Sequence, residues 1–165
     1  MLDTFGAPQQ GYVGQLLSFE PLWYYPASQP SFKRTFDVSY VEQLPAVEII
    51  YCHESYDVKL IQHAIDDGAK GIIMAGTGSG DTSSAADPYI ANATAAGIPV
   101  VVSTKINVGV EVPTKGSDSI GAGLLNPVKA RIQLQYALAN GLNMTEIRDV
   151  FEGVLADMIG YGTSG

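Results

Sequence analysis

The sequence predicts an α/β fold, a small three-layer domain built on a mainly parallel sheet and preceded by a β-hairpin arm. Two observations carry this expectation. Short β-branched runs alternate with segments of helical period, the pattern of βαβ units. Predicted helices stop at glycine, the residue that lets a helix end turn back toward a strand. The arm comes first. Residues 1–35 are rich in aromatics, Gly and Pro and show no helical period. Residues 11–19 (GYVGQLLSF) and 22–26 (LWYYP) read as two short strands either side of Glu20-Pro21, with the prolines at the margins. Residues 27–34 (ASQPSFKR) read as a connector. A hairpin alone is marginal in water, so the arm needs something larger to lie on, and its Tyr and Trp residues are expected to pack against that neighbour.

From Phe36 to residue 165 the α/β domain follows. The runs 47–52 (VEIIYC), 71–75 (GIIMA) and 99–103 (PVVVS) read as buried strands. Between them, 58–67 and 87–96 carry apolar positions at helical spacing and end at Gly68 and Gly97. A weaker fourth strand falls at 119–125. Asn126-Pro127 supplies an N-cap followed by proline at the first helical position. The helix it opens presents Ala130, Leu134, Ala137 and Leu138 on one face and stops at Gly141. Asn143 with Glu146 three residues on forms a capping box for a last helix through Val150 and Phe151. Residues 160–165 read as a frayed Gly/Ser tail, and the chain has no internal repeat. The sum is a flavodoxin-like three-layer domain over residues 36–165.

Composition narrows the function classes. At 165 residues and 46% hydrophobic, the chain is long enough to bury the core of one domain. Nine Lys and Arg against 17 Asp and Glu leave a net charge of −8, which argues against nucleic acid and anionic membrane as partners. The single Cys52 provides neither a disulfide framework nor a Cys-rich zinc site. No apolar stretch reaches the roughly 18–20 residues of a membrane span, and residues 1–6 do not read as a signal peptide.

Ligands of open α/β sheets bind at the carboxyl ends of the strands. Those ends here carry Cys52-His53-Glu54, the loop Gly76-Thr77-Gly78-Ser79-Gly80-Asp81, and Ser103-Thr104-Lys105. The alternate glycines 76, 78 and 80 permit close backbone approach to a ligand, or equally a tight strand-to-helix connection. They miss the G-x-G-x-x-G spacing and no P-loop Lys follows, which argues against a dinucleotide or nucleoside triphosphate site. His53, Glu54 and Asp57 mimic a metal or acid–base cluster, but His63 falls in a helical run at no ligand spacing, so no metal is expected. Cys52 reads as a core residue, Lys105 as a solvated lysine at the mouth, Asp81 as a cap of the following helix, and Glu111 as a surface charge. No Ser-His-Asp or Cys-His set assembles from two histidines so placed, and no cofactor is implied.

The order of segments carries a resemblance. Leu2-Asp3-Thr4-Phe5, Gly11-Tyr12-Val13-Gly14, Tyr24-Tyr25-Pro26 and Thr35-Phe36-Asp37-Val38-Ser39 precede Leu44-Pro45-Ala46-Val47. Then come Gly68-Ala69-Lys70-Gly71-Ile72, Ala75-Gly76-Thr77-Gly78-Ser79-Gly80, Gly97-Ile98-Pro99-Val100-Val101 and Leu125-Asn126-Pro127-Val128-Lys129-Ala130-Arg131. To about residue 153 the chain resembles the C-terminal half of a type II L-asparaginase, of the asparaginase/glutaminase amidohydrolase family.

The resemblance implies the smaller second domain of a two-domain enzyme, with its linking arm and without its N-terminal catalytic domain. Met1 would then fall in the family's mid-chain. The family hydrolyses the side-chain amide of Asn, often also Gln, through a threonine nucleophile and an acyl-enzyme. Its T-G-G-T-I and G-T-D-T segments do not occur in residues 1–165, so the resemblance implies no catalytic residue here and no activity alone. It implies instead two substrate contacts lent to a neighbouring subunit. One is the residue after the last glycine, a small polar residue, often Asn, and here Asp81. The other is a glutamate that counting back from Leu125-Asn126-Pro127 places at Glu111, in a loop several residues shorter than the family's. A carboxylate at 81 accepts a hydrogen bond from a substrate ammonium but cannot donate one as an amide does. The implied partners are the N-terminal domain, further copies in a homo-oligomer, and a small amide. Type II kinship suggests a secreted or periplasmic protein, with cytoplasmic the alternative. Three readings stand: the domain of a working asparaginase, a stand-alone binding or oligomerisation domain of that ancestry, or an unrelated flavodoxin-like domain holding a small anion at residues 76–80.

Overall fold

The computed structural model describes residues 11–24, 34–106 and 117–158. The ends of the predicted arm at Tyr25-Pro26, most of its connector, Glu111 and the Gly/Ser tail lie outside the described residues. The chain divides into two compact units, Met1–Lys33 and Arg34–Gly165.

In the first unit, β1 (Gly14–Leu17) pairs antiparallel with β2 (Glu20–Trp23). The expected hairpin is present, but its turn is Ser18-Phe19, and Glu20-Pro21 belongs to β2. Both turn residues have positive φ, 51° and 72°, the two-residue turn whose twist matches paired strands. Proline fits inside β2 because of register. Tyr24 N–H donates to Val13 O at 2.9 Å, so every second pair from 13/24 exchanges hydrogen bonds, and Leu16/Pro21 falls on a pair that does not. Leu16, Phe19 and Trp23 are exposed.

The second unit holds four parallel strands in chain order, β3 (Val47–Tyr51), β4 (Gly71–Gly76), β5 (Val100–Thr104) and the two-residue β6 (Ile120–Gly121). Helices α1 (Leu60–Asp66) and α2 (Asp87–Ala95) connect the first three strands. Crossovers of one hand, all advancing in one direction, put both helices on one face. There Ile72, Met74, Val100 and Val102 pack with Ile61, Ile90 and Ala93. Helices α3 (Pro127–Ala139) and α4 (Met144–Met158) cover the other face, where Val47, Ile73, Val101 and Ile120 meet Ala130, Leu134, Ala137, Ile147 and Phe151. Alternate strand residues feed alternate cores, which makes the three layers. Among the described residues no helix is long and apolar enough to cross a membrane.

The helix ends follow their sequence signals. Gly68, Gly97 and Gly141 have φ of 94°, 80° and 70°. At each, the glycine N–H and the next N–H return to the last helical carbonyls, as in Gly141 N to Leu138 O (3.0 Å) and Leu142 N to Ala137 O (3.1 Å). Asn126 Oδ1 accepts Lys129 N–H at 3.0 Å ahead of Pro127. Asn143 and Glu146 exchange their reciprocal hydrogen bonds at 2.9 and 3.1 Å.

Candidate functional site

The loop after β4 closes on itself. Thr77 N–H donates to Asp81 O at 3.0 Å, while Gly80 and Asp81 N–H both donate to Thr77 O at 2.8 and 2.7 Å. The three glycines answer two demands. A Cβ at Gly76 would overlap the Gly80 carbonyl, and Gly78 and Gly80 take φ of 53° and 97°. Three backbone N–H groups that would cradle an anion are thus consumed within the loop. Among the described residues the strand order also contains no reversal, the place where open α/β sheets form their ligand crevice. The glycine spacing is accounted for by the tight connection.

Asp81 does not cap the next helix. It ends the closed loop, exposed, while Ser83 Oγ accepts Ala85 N–H at 3.3 Å to open a single 3-10 turn, and α2 starts at Asp87-Pro88. The β4 and β5 strand ends are laced together around it. Thr104 Oγ donates to Gly78 O at 2.6 Å and accepts Ile106 N–H at 3.1 Å. Lys105 N–H donates to Gly76 O at 3.0 Å. The Lys105 ammonium is not free at the mouth as expected: it donates to Cys52 O, tying β5 across β4 to the end of β3.

Asp81 stands on the rim of a cavity of about 710 Å³ between this loop and the β3–α1 loop, with His53, Asp57, Thr77 and Ser83 around it. His53 Nδ1–H donates to Glu54 O at 2.8 Å, and the ring meets Tyr56 edge-on at 6.1 Å. Among the described residues, no three His, Cys, Asp or Glu side chains are placed to hold a metal ion. Cys52 is 3% exposed, and burial pushes its thiol above the usual value, which keeps it a neutral core group. Tyr56 also lines the cavity, its hydroxyl buried and unpartnered, and burial pushes its phenol up to about 12.

The structure therefore brings Asp81 to a cavity rim, and Glu111 lies outside the described residues. Sequence reasoning missed the brace beyond that loop. Arg148 donates to Ser117 O and Ser119 O at 2.9 and 3.0 Å. Glu152 Oε1 accepts both Arg148 Nη1–H and Gly121 N–H at 2.8 Å. The local signal was Arg148 preceding Glu152 by four residues, the less favoured order for a helical pair, and the partners that hold it lie 29 to 31 residues away.

Residues 46–151 match the family model described as Glutaminase/Asparaginase C-terminal domain. An L-asparaginase 2-3 of Saccharomyces cerevisiae is 38% identical over 161 residues, covering 93% of this chain and 44% of that protein. The L-asparaginase 2 of Bacillus subtilis is 34% identical, covering 90% of this chain and 40% of that protein. The crystal structure of a probable cytoplasmic L-asparaginase from Campylobacter jejuni superposes with a TM-score of 0.79 at 28% identity, covering 92% of this chain and 50% of that one. The family model and the superposition define an asparaginase C-terminal domain. The chain belongs to the asparaginase/glutaminase family, and it spans less than half the length of these curated relatives.

Proposed function

We propose that this chain is the C-terminal domain of an L-asparaginase-like amidohydrolase, converting L-Asn and water to L-Asp and ammonia together with an N-terminal catalytic domain. In this reading residues 1–35 are the linking arm and residues 36–165 the domain. The chain holds no nucleophile of its own. Asp81 reaches the active site of a neighbouring subunit in a homo-oligomer and accepts a hydrogen bond from the substrate's α-ammonium, with Glu111 a second contact. The observation that carries this is the position of Asp81, exposed and lining the cavity, at the end of a loop whose Thr77, Gly80 and Asp81 N–H groups are already paired.

The test mixes the chain with a separately produced N-terminal domain of the S. cerevisiae L-asparaginase and measures ammonia release from Asn. The chain alone should release none, the mixture should turn over, and Asp81→Ala should lower that turnover. Failure of a well-folded pair to complement overturns the reading. Asp81, where the family's loop often carries Asn, favours a second reading, a non-catalytic binding or oligomerisation domain of asparaginase ancestry. That reading requires a monodisperse, cooperatively folding chain that binds a partner or ligand without hydrolysis.

A further inference from the structure

We infer that Thr104 is a positioning residue for Asp81, holding the site loop from the neighbouring strand. The inference rests on the reading in which that loop serves the substrate. The loop closes on itself, but its internal hydrogen bonds run only between Thr77 and residues 80 and 81, at its base. The tip, Gly78 and Ser79, is exposed. Among the described residues, one hydrogen bond reaches that tip from outside the loop, Thr104 Oγ–H to Gly78 O at 2.6 Å.

Thr104 is suited to the task. Its side chain is 3% exposed, and β5 is hydrogen-bonded in register with β4, pairing Thr104 with Gly76 at the base of the loop. The hydroxyl has a fixed direction because it is used twice, donating to Gly78 O and accepting Ile106 N–H at 3.1 Å. An ideal Cβ at Gly78 would stand 3.6 Å from Asp81 Oδ2, so the carboxylate lies over the segment that Thr104 pins. A hydroxyl on β5 thereby sets the height of the tip, and the tip sets where the carboxylate is presented. Thr104 touches no substrate in this arrangement and acts only through the loop.

The test compares Thr104→Val, which keeps the shape and removes the hydroxyl, with Thr104→Ser, which keeps the hydroxyl. On the 165-residue chain, hydrogen exchange at the Thr77, Gly80 and Asp81 amides should accelerate roughly tenfold in Thr104→Val while amides of the β4–β5 ladder stay protected. Thr104→Ser should exchange like the unaltered chain. In the two-domain mixture, Thr104→Val should raise KM for Asn about tenfold with kcat within about twofold, and Thr104→Ser should restore KM. Unchanged exchange in Thr104→Val, or loss of protection across the whole sheet, overturns the brace, as does a Ser variant indistinguishable from Val. Asp81→Ala, measured alongside, separates the two claims. If it leaves KM unchanged, the substrate reading fails and the functional role of Thr104 falls with it. If it raises KM and Thr104→Val does not, the positioning claim alone is wrong. A mixture without turnover counts against the enzyme reading, and the exchange data on the chain still decide the brace.

Discussion

Glu152→Ala removes two things at once: the acceptor of the buried Gly121 N–H and the partner of Arg148, each at 2.8 Å from the same Oε1. An orphaned buried N–H costs about 1–3 kcal/mol. The ion pair adds less, because the Arg148 side chain is 29% exposed and water screens it, so about 0.5–1 kcal/mol is a fair allowance. The total, about 1.5–4 kcal/mol, lowers Tm by roughly 3–16 °C for a chain of this length. Glu152→Gln keeps a carbonyl oxygen for Gly121 and gives up only the charge, so its loss should stay below about 1.5 kcal/mol. Urea unfolding of the chain with both variants at constant m-value measures the difference. A Gln variant as unstable as Ala would show that charge, not the Gly121 acceptor, holds β6 to α4. An Ala variant within about 0.5 kcal/mol of the unaltered chain would show that the brace contributes nothing.

Other outcomes separate the remaining arguments. Leu134, fully buried between α3 and the sheet, should cost about 3 kcal/mol as Leu134→Ala, read by the same unfolding curves. Gly76→Ala and Gly141→Ala test two different demands on glycine. Gly76→Ala drives a Cβ into the Gly80 carbonyl and should cost about 2 kcal/mol or more, whereas Gly141→Ala, with open space around its Cβ, should cost only about 1 kcal/mol for its φ of 70°. Tyr56→Phe deletes an unpartnered buried hydroxyl and should raise stability by up to about 1 kcal/mol at neutral pH. Because the folded phenol ionises near 12 against an ordinary 10.0, the stability tied to keeping it neutral is complete below pH 10 and is lost as pH rises toward 12. Melting curves at pH 8 and 11 should therefore show a steeper alkaline loss with Tyr56 than with Tyr56→Phe. Cys52 should resist thiol reagents in the native chain and react on unfolding, and fast native labelling would contradict its burial.

The helix-ending and helix-opening signals are legible in the sequence. Gly68, Gly97 and Gly141, Asn126-Pro127 and the Asn143/Glu146 box each act within four residues of themselves, so the sequence window contains the whole cause. The hairpin turn was misplaced because Ser18-Phe19 takes positive φ without glycine, while Glu20-Pro21 looks like a turn and sits in a strand only through its pairing register. Asp81 is not the cap because Ser83, an equally good cap residue two positions on, opens the 3-10 turn instead. The alternating glycines were visible, but not what consumed their freedom. Thr104 meets Gly78 across 26 residues and Arg148 meets Ser117 across 31, so parallel strand pairing and helix docking had to exist before either contact could be seen.

Because the strands lie side by side in the order in which they are synthesised, each new strand meets a partner already in place. The first face of the sheet is covered as the chain lengthens, since α1 and α2 arrive between the strands they bridge. The other face is not. Val47, Ile73 and Val101 lack their helical cover until residues beyond Asn126 emerge and α3 and α4 fold down on them. Helices α3 and α4 are thus a lid on a finished sheet, and a nascent or truncated chain halted before Asn126 presents an apolar sheet face to its neighbours, the condition under which partly made proteins clump.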